Sequence, residues 1–111
     1  MDKKTKVSVQ GVPETMLQTL YARAKESQKK DHHIYDEKAV DIVASLDYDF
    51  SKADTDTAMS SGVVARTIIL DKLVGEFLNK NKNAIVVNIA CGLDTRCYRM
   101  KGKYSRWYNI D

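Results

Sequence analysis

The stretch "AIVVNIACGLDTRCYRM", Ala84 to Met100, most constrains what this chain folds into. Its first six residues are a β-branched run with little alternation, as expected for a parallel strand covered on both faces. The run breaks at Ala90, Cys91 and Gly92, then continues as a short, polar, arginine-bearing segment. "RWYNID" reads as a second strand, and the about a dozen or more residues between the two suffice for a parallel crossover. In sheets of this kind, ligands bind at the carboxyl ends of the strands, so the bend at Gly92 is the first place to look for chemistry.

The composition of that bend narrows the ligand. A pyrophosphate-binding turn uses several glycines to bring the backbone close and to seat the next helix. Aligning Gly-x-Gly-x-x-Gly here places Ala90, Gly92 and Thr95 at its three fixed positions, one glycine of three. The Gly-Lys-Ser/Thr triplet of a P-loop is absent as well. A nicotinamide oxidoreductase is therefore disfavoured. A cofactor with an adenosine but no phosphates needs only close backbone approach, which one glycine supplies, and S-adenosylmethionine fits that description. Asp111 lies 19 positions beyond Gly92 at the end of the second strand, near the spacing at which an acid grips ribose hydroxyls.

The upstream chain reads as helical. Pro13 and Glu14 suit a helix start, and Met16, Leu17, Leu20, Tyr21 and Ala24 form one stripe. "KKDHHIYD" reads as a loop, and "DEKAVDIVASL" as a shorter helix with Ala39, Val40, Val43 and Leu46 inward. "DYDFSKADTDTAMSSG" has no clear periodicity. The strongest helix is "VVARTIILDKLVGEFLNKN", with Ile69, Leu70, Leu73 and Phe77 expected along its buried face. Arg66 falls on the same face, and a buried guanidinium needs an anion. The methionine carboxylate of the cofactor is one bidentate partner; an internal aspartate or a snorkelling position at the helix start are the alternatives. Arg23, at the edge of the first stripe, suits either a site or solvent.

Composition excludes other classes. The 18 basic and 15 acidic residues are interspersed, without the concentrated patch of a nucleic-acid surface. No apolar run reaches the ~18 residues of a membrane span, and residues 1–11 read as a loose arm with no apolar signal core. Reduced Cys91 and Cys97 and a cytoplasmic location are the default expectation. His32 and His33 beside Asp31 and Asp36 lack zinc spacing and read as a solvated loop, so no metal is expected. Asp94 is expected to cap the short helix that follows, with Arg96 and Arg99 behind the site or on the surface.

Taken together, "VVNIACGLDTRCYRM" and "RWYNID" resemble the leucine carboxyl methyltransferase family, especially its bacterial branch named for tetracenomycin polyketide O-methyltransferases. Upstream, "ETMLQTLYARAKES", "DEKAVDIV", "YDF" and "VVARTIILDKLVGEFL" are similar to the family's amino-terminal helices in the same order, so the resemblance runs from about Gly11 to Asp111. It implies a class I S-adenosylmethionine-dependent methyltransferase. It also implies cofactor contacts at Arg66, Asn88, Ala90, Gly92 and Asp111, with Arg23 near the cofactor carboxylate. Ala90 stands where the family often has a glycine, a replacement without backbone cost if its φ is negative.

The expected fold is α/β: amino-terminal helices over residues 1–83, then the first two parallel strands of a Rossmann-like methyltransferase domain over 84–111, a single partial domain cut short. The expected function is O-methylation of a small-molecule hydroxyl or carboxylate, with no catalytic residue assignable and the oligomeric state open. The alternative is an inactive half-domain or partner-binding remnant without catalysis.

Overall fold

The computed structural model describes residues 5–6 and 12–111, with side chains from Glu14 onward. Apart from Thr5 and Lys6, the arm expected over residues 1–11 lies outside the described residues. The elements are β1 (Thr5–Lys6), α1 (Val12–Ser27), α2 (Glu37–Ser45), β2 (Leu46–Asp47), α3 (Ser51–Thr55), α4 (Thr57–Lys80), β3 (Ile85–Ile89), α5 (Arg96–Arg99) and β4 (Arg106–Ile110). Helices thus precede a parallel strand pair, an α/β arrangement.

Helix α1 starts with Pro13 in its first turn, where a missing N–H costs nothing, and Glu14 beside the positive end of the dipole. Leu17, Leu20 and Ala24 are buried as their spacing predicts. Helix α2 starts at Asp36, whose Oδ1 accepts the Ala39 N–H at 3.0 Å. Such a cap contributes about 1 kcal/mol. Leu20, Ala24 and Ala39 form the core between α1 and α2, with Val40, Ile42, Val43 and Leu93 packed around it. Leu93 belongs to the turn after β3, so this core reaches the turn directly.

The segment without periodicity is more ordered than expected. Leu46–Asp47 pairs in parallel with Thr5–Lys6. Helix α3 buries Ala53, and just before it Phe50 stacks on Tyr21 with ring centroids 4.6 Å apart. These are tertiary contacts, which leave no local pattern to read. Helix α4 begins at Thr57 rather than Val63, because the Asp56 carboxylate accepts the Met59 N–H at 3.0 Å and caps it earlier.

The buried face of α4 is also not the expected one. Val63, Thr67 and Leu78 are buried, with Asp71 and Val74 half-buried on the same side. Ile69, Leu70, Leu73 and Phe77 are exposed instead, and so is Arg66. Helix α4 is apolar around much of its circumference, so periodicity offered two stripes. The one facing α1 and α5 carries Thr67 and Asp71, whose polar groups are satisfied within the fold.

Strands β3 and β4 pair in parallel over five rows, from Ile85 opposite Arg106 to Ile89 opposite Ile110. Coverage on both faces is not observed. Val86 and Asn88 are half-buried, while Ile85, Val87 and Ile89 of β3 and Tyr108 and Ile110 of β4 are exposed. Their shared face has no helix against it among the described residues. No described helix is long and apolar enough to cross a membrane.

Candidate functional site

The carboxyl ends of β3 and β4 lie side by side, and the backbone joins them beyond the last ladder row. Cys91 donates its N–H to the Ile110 carbonyl at 3.1 Å. This brings the bend Ala90–Leu93 next to Asp111, the exposed residue that follows β4. The bend closes on itself through the Asp94 N–H, which donates to the Cys91 carbonyl at 3.0 Å. Asn88, one step inside the strand, donates its amide to Asp94 Oδ2 at 2.7 Å and to Asn109 Oδ1 at 3.3 Å. Asn88, Ala90, Gly92 and Asp111 therefore share one corner of the molecule, the bend and strand tips.

Gly92 has φ +53°, and a side chain there would begin 2.7 Å from the Met16 sulfur of α1. The lack of a side chain serves close packing against α1 on that side. Ala90 has φ +56°, so the condition for a cost-free replacement of glycine is not met. A left-handed alanine carries about 1–2 kcal/mol of strain.

Beneath the bend runs a chain of six charges with alternating sign. Arg23 Nε donates to Asp36 Oδ2 at 3.1 Å, and Arg99 Nη1 donates to the same oxygen at 2.8 Å. Arg99 also clasps Asp71 with two bonds, Nε to Oδ2 at 2.7 Å and Nη2 to Oδ1 at 2.9 Å. Arg96 joins Asp71 at 2.8 Å and Asp94 at 2.9 Å. The chain returns to its start, since Arg23 Nη2 donates to the Leu93 carbonyl at 2.7 Å, one residue before Asp94. Burial raises the Asp71 carboxyl pKa, but the hydrogen bonds and charges of Arg99 and Arg96 outweigh it and the net direction is down. Burial opposes the charge on Arg99, yet Asp71, Asp36 and Asp94 hold its pKa above the ordinary value. For Arg23 burial dominates, and its pKa is lowered despite the pull of Asp36. Three arginines face three aspartates here, so the chain has no surplus cation.

The predicted residues are not all gathered at the bend. Arg23 is buried, with 8% of its surface exposed, and is tied to Asp36 and the Leu93 carbonyl. Arg66 is on the exposed flank of α4, with no hydrogen bond or ion pair joining it to the bend among the described residues. It is thus not the inward-pointing guanidinium that its spacing predicted, because the stripe it belongs to faces outward. Asp94 does not sit at the cap position of α5, which belongs to Thr95. It accepts instead from the Arg96 N–H at 3.1 Å, two residues on. Arg96 and Arg99 are half-buried parts of the ionic chain rather than surface groups. His33 contacts Glu26 at 3.1 Å and is exposed, in keeping with a loop. A cleft of about 430 Å³ between α1 and α4, bordered by Lys25, Glu26, His33, Ser61 and Ile68 among others, includes none of the predicted residues.

Sequence reasoning missed Asp36, Asp71 and Thr95. Asp36 carried a readable signal, an acid immediately before the helical "EKAV", as a cap position shows. Asp71 was hidden by the more apolar stripe beside it.

Comparison with known proteins agrees with this architecture. A family model described as "Leucine carboxyl methyltransferase" matches residues 16–111. The tetracenomycin polyketide synthesis O-methyltransferase TcmP of Streptomyces glaucescens is 36% identical over 106 residues, covering 95% of this chain and 39% of that protein. The S-adenosyl-L-methionine-dependent methyltransferase dpfgK of Gibberella zeae is 33% identical over 118 residues, covering 97% of this chain and 40% of that protein. The chain thus spans about two fifths of the length of both relatives. No solved structure matches. The match over residues 16–111 shows that this chain belongs to the leucine carboxyl methyltransferase family.

Proposed function

We propose that this chain carries the opening, cofactor-binding part of an S-adenosylmethionine-dependent O-methyltransferase, a partial Rossmann-like domain whose acceptor is a small-molecule hydroxyl or carboxylate. The observation that carries the reading is the pairing of the Gly92 bend with Asp111 through the Cys91–Ile110 bond at adjoining strand tips. Both curated relatives are named as methyltransferases, one of them for this cofactor.

The residues present fit such a group. Asp111 is an exposed carboxylate beside the bend, able to accept from both hydroxyls of a ribose. The six-charge chain is internally neutral and has no cation to spare. Arg66 has no ion-pair partner among the described residues, so its planar fork is free for a carboxylate. The Cys91 N–H is committed to the Ile110 carbonyl and the Asp94 N–H to the Cys91 carbonyl, so Gly92 and Leu93 are residues of the bend left to offer neutral donors, where no phosphate has to be matched.

When bound, S-adenosylmethionine supplies a methyl group on a sulfonium, open to in-line displacement by an oxygen. The task of this chain's residues is alignment: Asp111 holds the sugar beside the bend, and Arg66, on the outward flank of α4, is a cation unpaired among the described residues and open to the amino-acid tail. An acceptor carboxylate needs no base, whereas a hydroxyl does.

Calorimetric titration of the chain with S-adenosylhomocysteine tests the reading. Arg66→Ala and Asp111→Ala should each weaken binding about tenfold or more, as loss of a charged hydrogen bond does. Unchanged affinity in both variants removes the assignment. One observation favours the second reading, a partner-binding unit without catalysis: the bare apolar face of β3 and β4. No binding of the homocysteine analogue by a cooperatively folded chain would select that reading.

A further inference from the structure

Asp36 has none of its surface exposed, and three side chains from distant parts of the chain converge on its Oδ2. Arg23 arrives from α1, Arg99 from the end of α5, and the Thr95 hydroxyl from the residue that starts α5. Oδ1 is committed to the first turn of α2. The Asp36 backbone is fixed as well: its N–H donates to Ser27 Oγ at 2.8 Å, and that hydroxyl donates to the Arg23 carbonyl at 2.7 Å. The carboxylate therefore has no freedom to follow its partners; they must follow it.

Two arms run from it to the crossover after β3. One passes through Arg23 to the Leu93 carbonyl, the last link of the bend. The other holds Thr95 and Arg99, which are themselves bonded at 2.6 Å, and so fixes both ends of α5. A four-residue helix and a bend with two left-handed residues have little intrinsic order. Their shape has to come from outside, and a charged, buried, fully bonded hub supplies it.

We propose that Asp36 is a positioning residue for the bend after β3. Acting through Arg23 and Thr95, it fixes where Leu93 sits and so where the Cys91–Gly92 backbone meets the ligand. This rests on the reading that the bend and Asp111 hold the cofactor. Asp36 itself is not placed against the ligand.

The test uses the whole chain with three variants. Asp36→Asn keeps an acceptor for the Ala39 N–H but loses the charge. Arg23→Lys keeps the charge but loses the fork that spans Asp36 and Leu93. Val63→Ala, in buried α4 packing, is the general destabilising control. Residue-resolved amide exchange without ligand is read first, at the Cys91 and Asp94 amides that close the bend. In Asp36→Asn and Arg23→Lys these should exchange about tenfold or more faster relative to α4 amides of the same variant, the scale of a lost charged hydrogen bond. Val63→Ala should show no such selectivity. Affinity for S-adenosylhomocysteine should fall in the first two variants and hold in the third.

Uniform exchange across the molecule in both Asp36→Asn and Arg23→Lys, with affinity retained, overturns the proposal and leaves the cofactor reading standing. Selective exchange at the bend with no analogue binding by the unaltered chain sinks the cofactor reading and keeps Asp36 as the residue that shapes the bend. If Asp36→Asn does not fold, Arg23→Lys alone decides between these outcomes.

Discussion

The Met16 sulfur stands 2.7 Å from where a side chain on Gly92 would begin, so α1 and the bend after β3 touch with nothing between them. Gly92→Ala meets two penalties. The left-handed backbone costs about 1–2 kcal/mol. The Met16 contact is cheaper to relieve, since an unbranched thioether can swing aside. Gly92→Ala should therefore lower stability by about 1–2 kcal/mol, and because the two residues touch, it should couple to Met16→Ala by about 0.5 kcal/mol, the low end for residues in contact. Urea denaturation of both single variants and the double variant measures this; strong non-additivity would mean that the contact, not the backbone, sets most of the cost.

Ala90→Gly should do the opposite. It relieves the left-handed strain at φ +56° while adding freedom to the unfolded chain. The expected net is a gain of about 0.5–1 kcal/mol, read as a raised denaturation midpoint with an unchanged slope. A loss of stability would contradict the strain assigned to this residue.

The orientation of α4 has a direct check. Leu78 is fully buried and Leu73 is 57% exposed, although the apolar spacing marked Leu73 as core. Leu78→Ala should cost about 2–5 kcal/mol, whereas Leu73→Ala should cost under ~1 kcal/mol. Equal costs would mean that the outer stripe is covered.

Acid should loosen the end of α1. The Glu26 carboxyl is held at about 2, below its ordinary 4.5, first by the His33 backbone N–H and then by Lys29 and the His33 ring, against the opposing effect of burial. A depressed carboxylate contributes stability that is present above its unfolded value and is lost as pH falls through the folded one. The stability difference between the unaltered chain and Glu26→Gln should be largest near neutral pH and shrink between about pH 4.5 and 2. A difference that stays constant over this range would exclude the linkage.

The bare face of the sheet predicts behaviour in solution. Ile85, Val87, Ile89, Tyr108 and Ile110 form a contiguous apolar surface, with Ile89 76% exposed. Surfaces of this kind bind hydrophobic dyes and drive association. Val87→Lys and Ile89→Lys should reduce dye fluorescence and shift size-exclusion elution toward the monomer, at a stability cost within ~1 kcal/mol. No change in either readout would mean that the face is covered.

Much of this architecture was legible locally. The β3 run, the bend, the crossover, β4 and the cores of α1 and α2 follow from pattern and cap residues that act over a few positions. The rest depended on distant partners. Which stripe of α4 is buried is set by α1 and α5, not by the count of leucines. Arg66 turned outward where it was expected inward, and Arg23, open between a site and solvent, is buried against Asp36, for the same reason: spacing shows that an arginine borders an apolar face, but not whether another layer covers it. Asp36 looked like loop polarity because its partners Arg99 and Thr95 lie 63 and 59 positions away. The sign of φ at Ala90 was likewise not encoded in the residue itself.

The alternating chain Arg23–Asp36–Arg99–Asp71–Arg96–Asp94 constrains how this protein can change. Deleting one member strands a charge with poor access to water, while an all-hydrocarbon replacement of the whole set can be neutral or better. Drift by single steps is therefore penalised at six positions at once. The set should pass between descendants as a block, kept entire or exchanged entire.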